Sequence, residues 1–181
     1  MGLPLVALLL AAPRAASADE AAIRAVYRAF EEGFERQDVD ALEPLFAQDY
    51  AATLPDGSTS GRDETLSDIG EEARSAIAPV HCKEQLKRLA IDGDGATVEV
   101  AEETAYQVRS PDGKLHSYRY TESYEDRLAK VDGRWLLRST RYGSGGDEQL
   151  DGKPTARGQL KKALEAVGPA APAVPATSGA Q

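Results

Sequence analysis

From Ala22 to Phe34 apolar side chains return every three or four positions, at Ile23, Val26, Tyr27, Phe30 and Phe34. That spacing predicts an amphipathic helix with one buried stripe. A second helix is expected over Val39 to Ala47, capped by Asp38, with Leu42, Leu45 and Phe46 on its apolar side. Tyr50 to Leu54 reads as a short strand closed by a turn at Pro55-Asp56-Gly57, and Arg62 to Ile77 as a third, polar helix. The period then changes to two. Asp-Gly pairs at Asp92-Gly93 and Asp94-Gly95, at Asp112-Gly113 and at Asp132-Gly133 recur about twenty residues apart, and Asp-Gly is the strongest short-range hairpin signal. Four long antiparallel strands follow, at about Val80 to Ile91, Ala96 to Arg109, Leu115 to Val131 and Arg134 to Tyr142. Helices first and hairpins afterwards predict an α+β domain with helices packed on one face of a curved sheet.

Alternation assigns the faces. Val98, Val100, Glu102, Thr104, Tyr106 and Val108 share one side of their strand, and Tyr118, Tyr120, Glu122, Tyr124 and Leu128 share one side of the next. Both sets read as inward. In the last strand Leu136, Arg138, Thr140 and Tyr142 oppose Trp135, Leu137, Ser139 and Arg141, and the pattern alone does not choose between them.

Composition narrows the functional classes. The chain has 181 residues, 41% of them hydrophobic and 28% charged, which fits a globular domain. Its formal net charge of −9 has the wrong sign for nucleic acid or anionic lipid. Leu3 to Ala12 is too short to span a bilayer but suits the core of a signal peptide, and Ala16-Ser17-Ala18 fits the cleavage site. Residues 1–18 are therefore expected to be removed on export to the periplasm or beyond, without membrane insertion, although no Lys or Arg precedes the apolar run. The domain is placed at 19–145. The extension 146–181 is expected to hold a short helix at 159–167, before a disordered Pro/Ala-rich tail from Gly168 to Gln181.

Few motifs point to particular chemistry. Cys82 is the sole cysteine and reads as a small buried residue. His81 and His116 lack metal-ligand spacing, so no metal or other cofactor is implied. Asp92, Asp94 and Glu103 do not complete a calcium loop, and Gly57-Ser58-Thr59-Ser60-Gly61 is not a nucleophile elbow. Glu31, Glu32, Glu35 and the Glu71-Glu72 pair read as solvated helix faces.

The run Gln37-Asp38-Val39-Asp40-Ala41-Leu42, with Leu45-Phe46-Ala47-Gln48-Asp49-Tyr50, then Gly61-Arg62-Asp63-Glu64 and Asp132-Gly133-Arg134-Trp135, resembles the nuclear transport factor 2-like superfamily. Within it, the chain is similar to the SnoaL-like and ketosteroid-isomerase-like branch. The resemblance implies a cystatin-like cone, a strongly bent antiparallel sheet around three N-terminal helices with a pocket at the open end, and a homodimer. The isomerases carry an aspartate base just before the proline after the first strand, where this chain has Leu54 beside Pro55. The tyrosine that serves their oxyanion corresponds to Phe30. The usual isomerase groups are thus expected to be absent.

Resemblance also favours the Leu136, Arg138, Thr140, Tyr142 face as inward, which would put Arg138 in the pocket. The expected ligand-binding set is Phe30, Phe34, Leu54, Tyr106, Tyr120, Tyr124 and Arg138, with Glu102 and Glu122 as candidate acid-base groups. Three readings stay open: an exported domain binding a small, partly apolar ligand; a SnoaL-like isomerase, cyclase or hydrolase using pocket Glu and Tyr; and a dimeric protein-interaction module with Trp135 and Leu137 on its convex face.

Overall fold

The computed structural model describes residues 17–156 and 159–160. The apolar run at 3–12, most of the helix expected at 159–167 and the Pro/Ala-rich tail lie outside the described residues. Among the described residues no helix is long and apolar enough to cross a membrane.

Helix α1 spans Ala18–Glu35 and begins four residues before the periodic stripe. Its first turn holds Asp19 and Glu20, acids that the positive end of a helix favours, and the Ser17 hydroxyl accepts from the Glu20 amide at 3.1 Å. Such a cap is worth about 1 kcal/mol while Ser17 is present, and a chain cut after Ala18 loses it. Apolar periodicity could not reveal a turn that contains no apolar contact. Asp38 caps α2 as expected, but α2 covers only Val39–Leu42, and Glu43–Leu45 tightens into a 3-10 turn. Pro44 lacks the amide that a continuing helix needs, and from Phe46 onward the chain pairs with a strand instead. The expected helix to Ala47 is thereby shortened. Helix α3 is Arg62–Ser75.

The strands are β1 (Phe46–Thr53), β2 (Thr59–Gly61), β3 (Ile77–Asp92), β4 (Gly95–Arg109), β5 (Leu115–Val131), β6 (Arg134–Leu150) and β7 (Lys153–Thr155). They form one mixed sheet in the order β2-β1-β6-β5-β4-β3, with β7 on β6. All neighbours are antiparallel except β1 and β6. The Asp132-Gly133 hairpin has the positive φ values at both residues that its turn requires, 50° and 79°. A further Asp-Gly turn, Asp151-Gly152 with φ of 52° and 71°, joins β6 to β7, so the sheet continues beyond residue 145.

Helices α1 and α3 lie on the concave side of the sheet. Two clusters of buried apolar residues fill the space between, one around Ile23, Tyr27, Val98, Val100 and Trp135, the other around Phe34, Val80, Cys82, Tyr106 and Leu150. Val98, Val100, Glu102, Thr104, Tyr106 and Val108 all face inward, as alternation predicts.

The last long strand departs from the expected register. Trp135 and Leu137 are buried, and Thr140 and Tyr142 also face the core side. The two pairs of inward residues are out of step because Arg127 pairs with Ser139 while Leu128 pairs with Leu137, leaving Arg138 as the extra residue of a bulge. Arg138 is therefore 59% exposed and donates to Asp49 at 2.6 Å on the outer face. This overturns its expected place in the pocket, and it removes Trp135 and Leu137 from the convex surface.

Candidate functional site

Between the helices and the concave sheet lies a cavity of about 80 Å³. The helices contribute Val26, Tyr27, Phe30, Phe34, Ile69 and Glu72, so that side is mostly aromatic and aliphatic with one carboxyl. Phe30 and Phe34 stack at 6.2 Å, and Phe46 meets Phe30 edge-on at 6.4 Å. The sheet side is polar. Glu84, Glu102 and Glu122 are direct cross-strand neighbours on β3, β4 and β5, forming a rung of three carboxyls. Asp126 and Glu72 complete the acidic lining. Among the described residues, no Lys, Arg or His lines the cavity.

Each acid stands where alternation calls for an apolar side chain: Glu84 between Cys82 and Leu86, Glu102 between Val100 and Thr104, Asp126 between Tyr124 and Leu128. Burying such groups requires donors, and the neighbouring hydroxyls supply them. Glu102 Oε1 accepts from Thr104 at 2.8 Å and from Tyr120 at 3.0 Å. The Tyr124 hydroxyl lies 2.6 Å from Glu84 Oε1 and 3.1 Å from Glu102 Oε2. Asp126 accepts from Tyr27 at 2.9 Å and Thr140 at 2.6 Å, and Tyr50 donates to Thr140 at 2.8 Å.

Burial dominates the titration of these groups. It pushes the Asp126 carboxyl up to about 7 against the opposing effect of its two donors. Glu72, which accepts from Tyr106 at 3.0 Å, is likewise pushed up to about 7. Glu84 is raised well above the carboxylate range by burial and by the Glu102 charge, and Glu102 is raised by burial against three donors. Carboxyls in this state can hold or release protons near neutrality. Among the described residues no group of three or more His, Cys, Asp or Glu could hold a metal ion.

Phe30, Phe34, Tyr120, Tyr124, Glu102 and Glu122, all singled out by sequence, line the cavity. Tyr106 does not; it packs behind against Tyr118 and reaches Glu72. Leu54 is 40% exposed and outside the cavity, because β1 ends at Thr53 and a turn closed by Leu54 N to Ser58 O carries the chain outward. Arg138 is on the opposite face.

Glu72 is not a solvated helix residue, since α3 turns it toward Tyr106. Nor are Glu31 and Glu35 merely solvated. Glu31 accepts from the Glu84 amide at 2.7 Å and Glu35 from the Cys82 amide at 3.2 Å, fastening α1 to β3. Sequence reasoning missed Glu84, Asp126, Tyr27 and Tyr50. The first two carried a legible signal, an acid inside an apolar alternation. Tyr27 and Tyr50 read as ordinary core aromatics.

A second constellation resembles a nucleophilic triad. His116 Nε2 is 3.1 Å from Ser110 Oγ, and His116 Nδ1 is 2.7 Å from Asp151 Oδ2. Ser110 is buried, however, and its hydroxyl donates to Asp112 within the Ser110–Lys114 turn. A serine whose proton is directed away from the imidazole is not primed as a nucleophile. The arrangement clamps two hairpin ends: Asp151 also accepts from the Ser117 amide at 3.0 Å.

The fold recurs in solved structures. A conserved protein from Planctomyces limnophilus superposes with a TM-score of 0.60 at 19% identity, covering 68% of this chain and 94% of that one. A protein of Novosphingobium aromaticivorans assigned as a scytalone dehydratase gives 0.58 at 16% identity, covering 71% and 85%. A type 2 hexachlorocyclohexane dehydrochlorinase gives 0.56 at 16% identity, covering 87% and 96%. No curated protein matches the sequence. The family model described as a SnoaL-like domain matches residues 15–141, from α1 into β6, and so takes in every residue lining the cavity except Tyr142. The chain belongs to the SnoaL-like domain family.

Proposed function

We propose that this protein is an exported SnoaL-like domain that takes a small, partly apolar ligand into the cavity beneath its sheet. It does so without the usual isomerase base and oxyanion tyrosine, since by the family resemblance Leu54 and Phe30 stand at those positions. The observation that carries the reading is the two-sided lining: phenyl rings from the helices face hydroxyls and carboxyls from the sheet. A small-molecule site needs that combination of apolar area and a few oriented polar groups. Export is supported by the apolar run and cleavage triplet ahead of α1, and a homodimer belongs to the same proposal.

The test is native mass spectrometry of the protein recovered from the exported fraction of its own cells. The expected result is a chain beginning at Asp19, carrying a defined extra mass that is lost on denaturation. A chain that is always bare, and whose cavity resonances no small molecule perturbs, overturns the reading. An acid-base enzyme is the second reading, favoured by Glu72 and Asp126 titrating near neutrality. Recovery of a chemically altered form of the bound compound from the protein would decide for it.

A further inference from the structure

The junction expected to be cut on export lies inside the folded body. Ala18 closes the Ala16-Ser17-Ala18 triplet and is also the first residue of α1, so the Ala18–Asp19 peptide bond belongs to a helical turn. Around that bond the Ser17 carbonyl accepts from the Ala21 amide at 2.9 Å, and the Ser17 hydroxyl accepts from the Glu20 amide at 3.1 Å. The residue after the bond is tied to the sheet. Asp19 Oδ1 accepts from Lys130 Nζ at 2.6 Å and from the Trp135 indole at 3.0 Å. Trp135 is itself buried in the first core cluster, together with Ile23 from the next turn of α1. Asp19 follows the bond directly, so no linker separates the bond from the domain. A peptidase works on backbone that it can draw out of the fold, which exposed loop tips offer and packed helix ends do not. Drawing out this segment would unwind the first turn of α1 and strip a buried indole N–H of its acceptor, which is costly.

We infer that cutting after Ala18 and folding of α1 exclude one another: the chain is exported and cut while still unfolded, and a precursor that folds first keeps residues 1–18. This rests on the reading of those residues as an export signal. In the cut, water adds across the Ala18–Asp19 peptide bond, leaving a carboxylate on Ala18 and an ammonium on Asp19. That ammonium stands at the positive end of α1, where the Ser17 cap has gone and a like charge is disfavoured. The Asp19 carboxylate lies beside it, and its bonds to Lys130 on β5 and Trp135 on β6 hold the new helix end against the sheet. Asp19 thus serves twice, first as the residue after the scissile bond and then as the anchor that closes the site of cutting.

The experiment presents the full precursor to an excess of purified signal peptidase in detergent, once as the folded protein and once diluted directly from urea, and follows the mass of the product. The chain arriving from urea is expected to be cut after Ala18, giving a product that begins Asp19-Glu20-Ala21. The folded protein should be cut about tenfold or more slowly, because only its opened fraction can enter the peptidase. Lys130→Met and Trp135→Phe each take a donor from Asp19 without touching the sequence that the peptidase reads. Each should speed cutting of the folded protein several-fold and leave the rate from urea unchanged. Equal rates for folded and urea-delivered wild type, both after Ala18, overturn the exclusion but leave the export reading standing. Should a variant fail to fold, that wild-type pair still decides. A folded-state rate that neither substitution changes overturns the anchoring role of Asp19. Absence of any cut after Ala18, even from urea, overturns the export reading together with this one.

Discussion

Asp126 is the most deeply buried acid of the cavity, 2% exposed, and it is held by two hydroxyls rather than by a cation. A carboxylate in such a place depends on each donor, because its charge has no other compensation. Tyr27→Phe keeps the ring and removes one donor. At pH 8, where Asp126 is charged, the substitution is expected to destabilise the fold by about 1–3 kcal/mol. At pH 5, where Asp126 holds its proton, the loss should be clearly smaller. Urea unfolding at the two pH values measures the difference, and an equal loss at both would assign the effect to packing instead of charge. The same residue shows what was legible in the sequence. Asp126 lies on the inward parity of β5 with Tyr120, Glu122 and Tyr124, so its position could be read. Its partner Tyr27 could not, since a contact across 99 positions leaves no local mark.

At the scale of elements, hairpins and alternation were legible wherever local chemistry dictates them. Asp-Gly turns set the long strands, and the same signal at Asp151-Gly152 marks a hairpin beyond the expected end of the domain. Alternation carries a face along a strand only until an extra residue is inserted, and nothing in a string of residue types announces a bulge. β6 illustrates the consequence. One extra residue at Arg138 places Trp135 and Leu137 on the same side as Thr140 and Tyr142, and sends the guanidinium to Asp49. Trp135 is fully packed, and its indole donates to Asp19 at 3.0 Å, fastening the start of α1 to the sheet. Trp135→Ala should accordingly cost about 3–5 kcal/mol. Arg138→Ala removes only an exposed ion pair and should cost less than about 1 kcal/mol. Denaturant unfolding of both variants checks the order, and a larger loss at Arg138 would contradict the bulge.

For the whole molecule, gathering acids in a cavity without a base makes stability depend on pH in an unusual direction. Glu72 and Asp126 titrate near 7 in the fold and near 4 when unfolded. Between those values the folded state holds protons that the unfolded state has released, so stability falls as pH rises through the window. The contribution of these two groups levels off above about 7, where both states are ionised, while Glu84, which burial and the Glu102 charge raise well above the carboxylate range, prolongs the decline. Each group contributes about 1.4 kcal/mol per pH unit of that window. Asp19, Asp112 and Asp151 are shifted the other way, by Lys130 and Trp135, by Ser110 and Lys114, and by His116 and Ser117. Their gain with rising pH is nearly complete by about pH 5, where the decline takes over. Urea unfolding should thus show a maximum near pH 4–5 and a decline towards pH 7. Glu72→Gln and Asp126→Asn should each flatten the decline, and a level wild-type profile from pH 5 to 7 would mean that these carboxyls ionise freely in the fold.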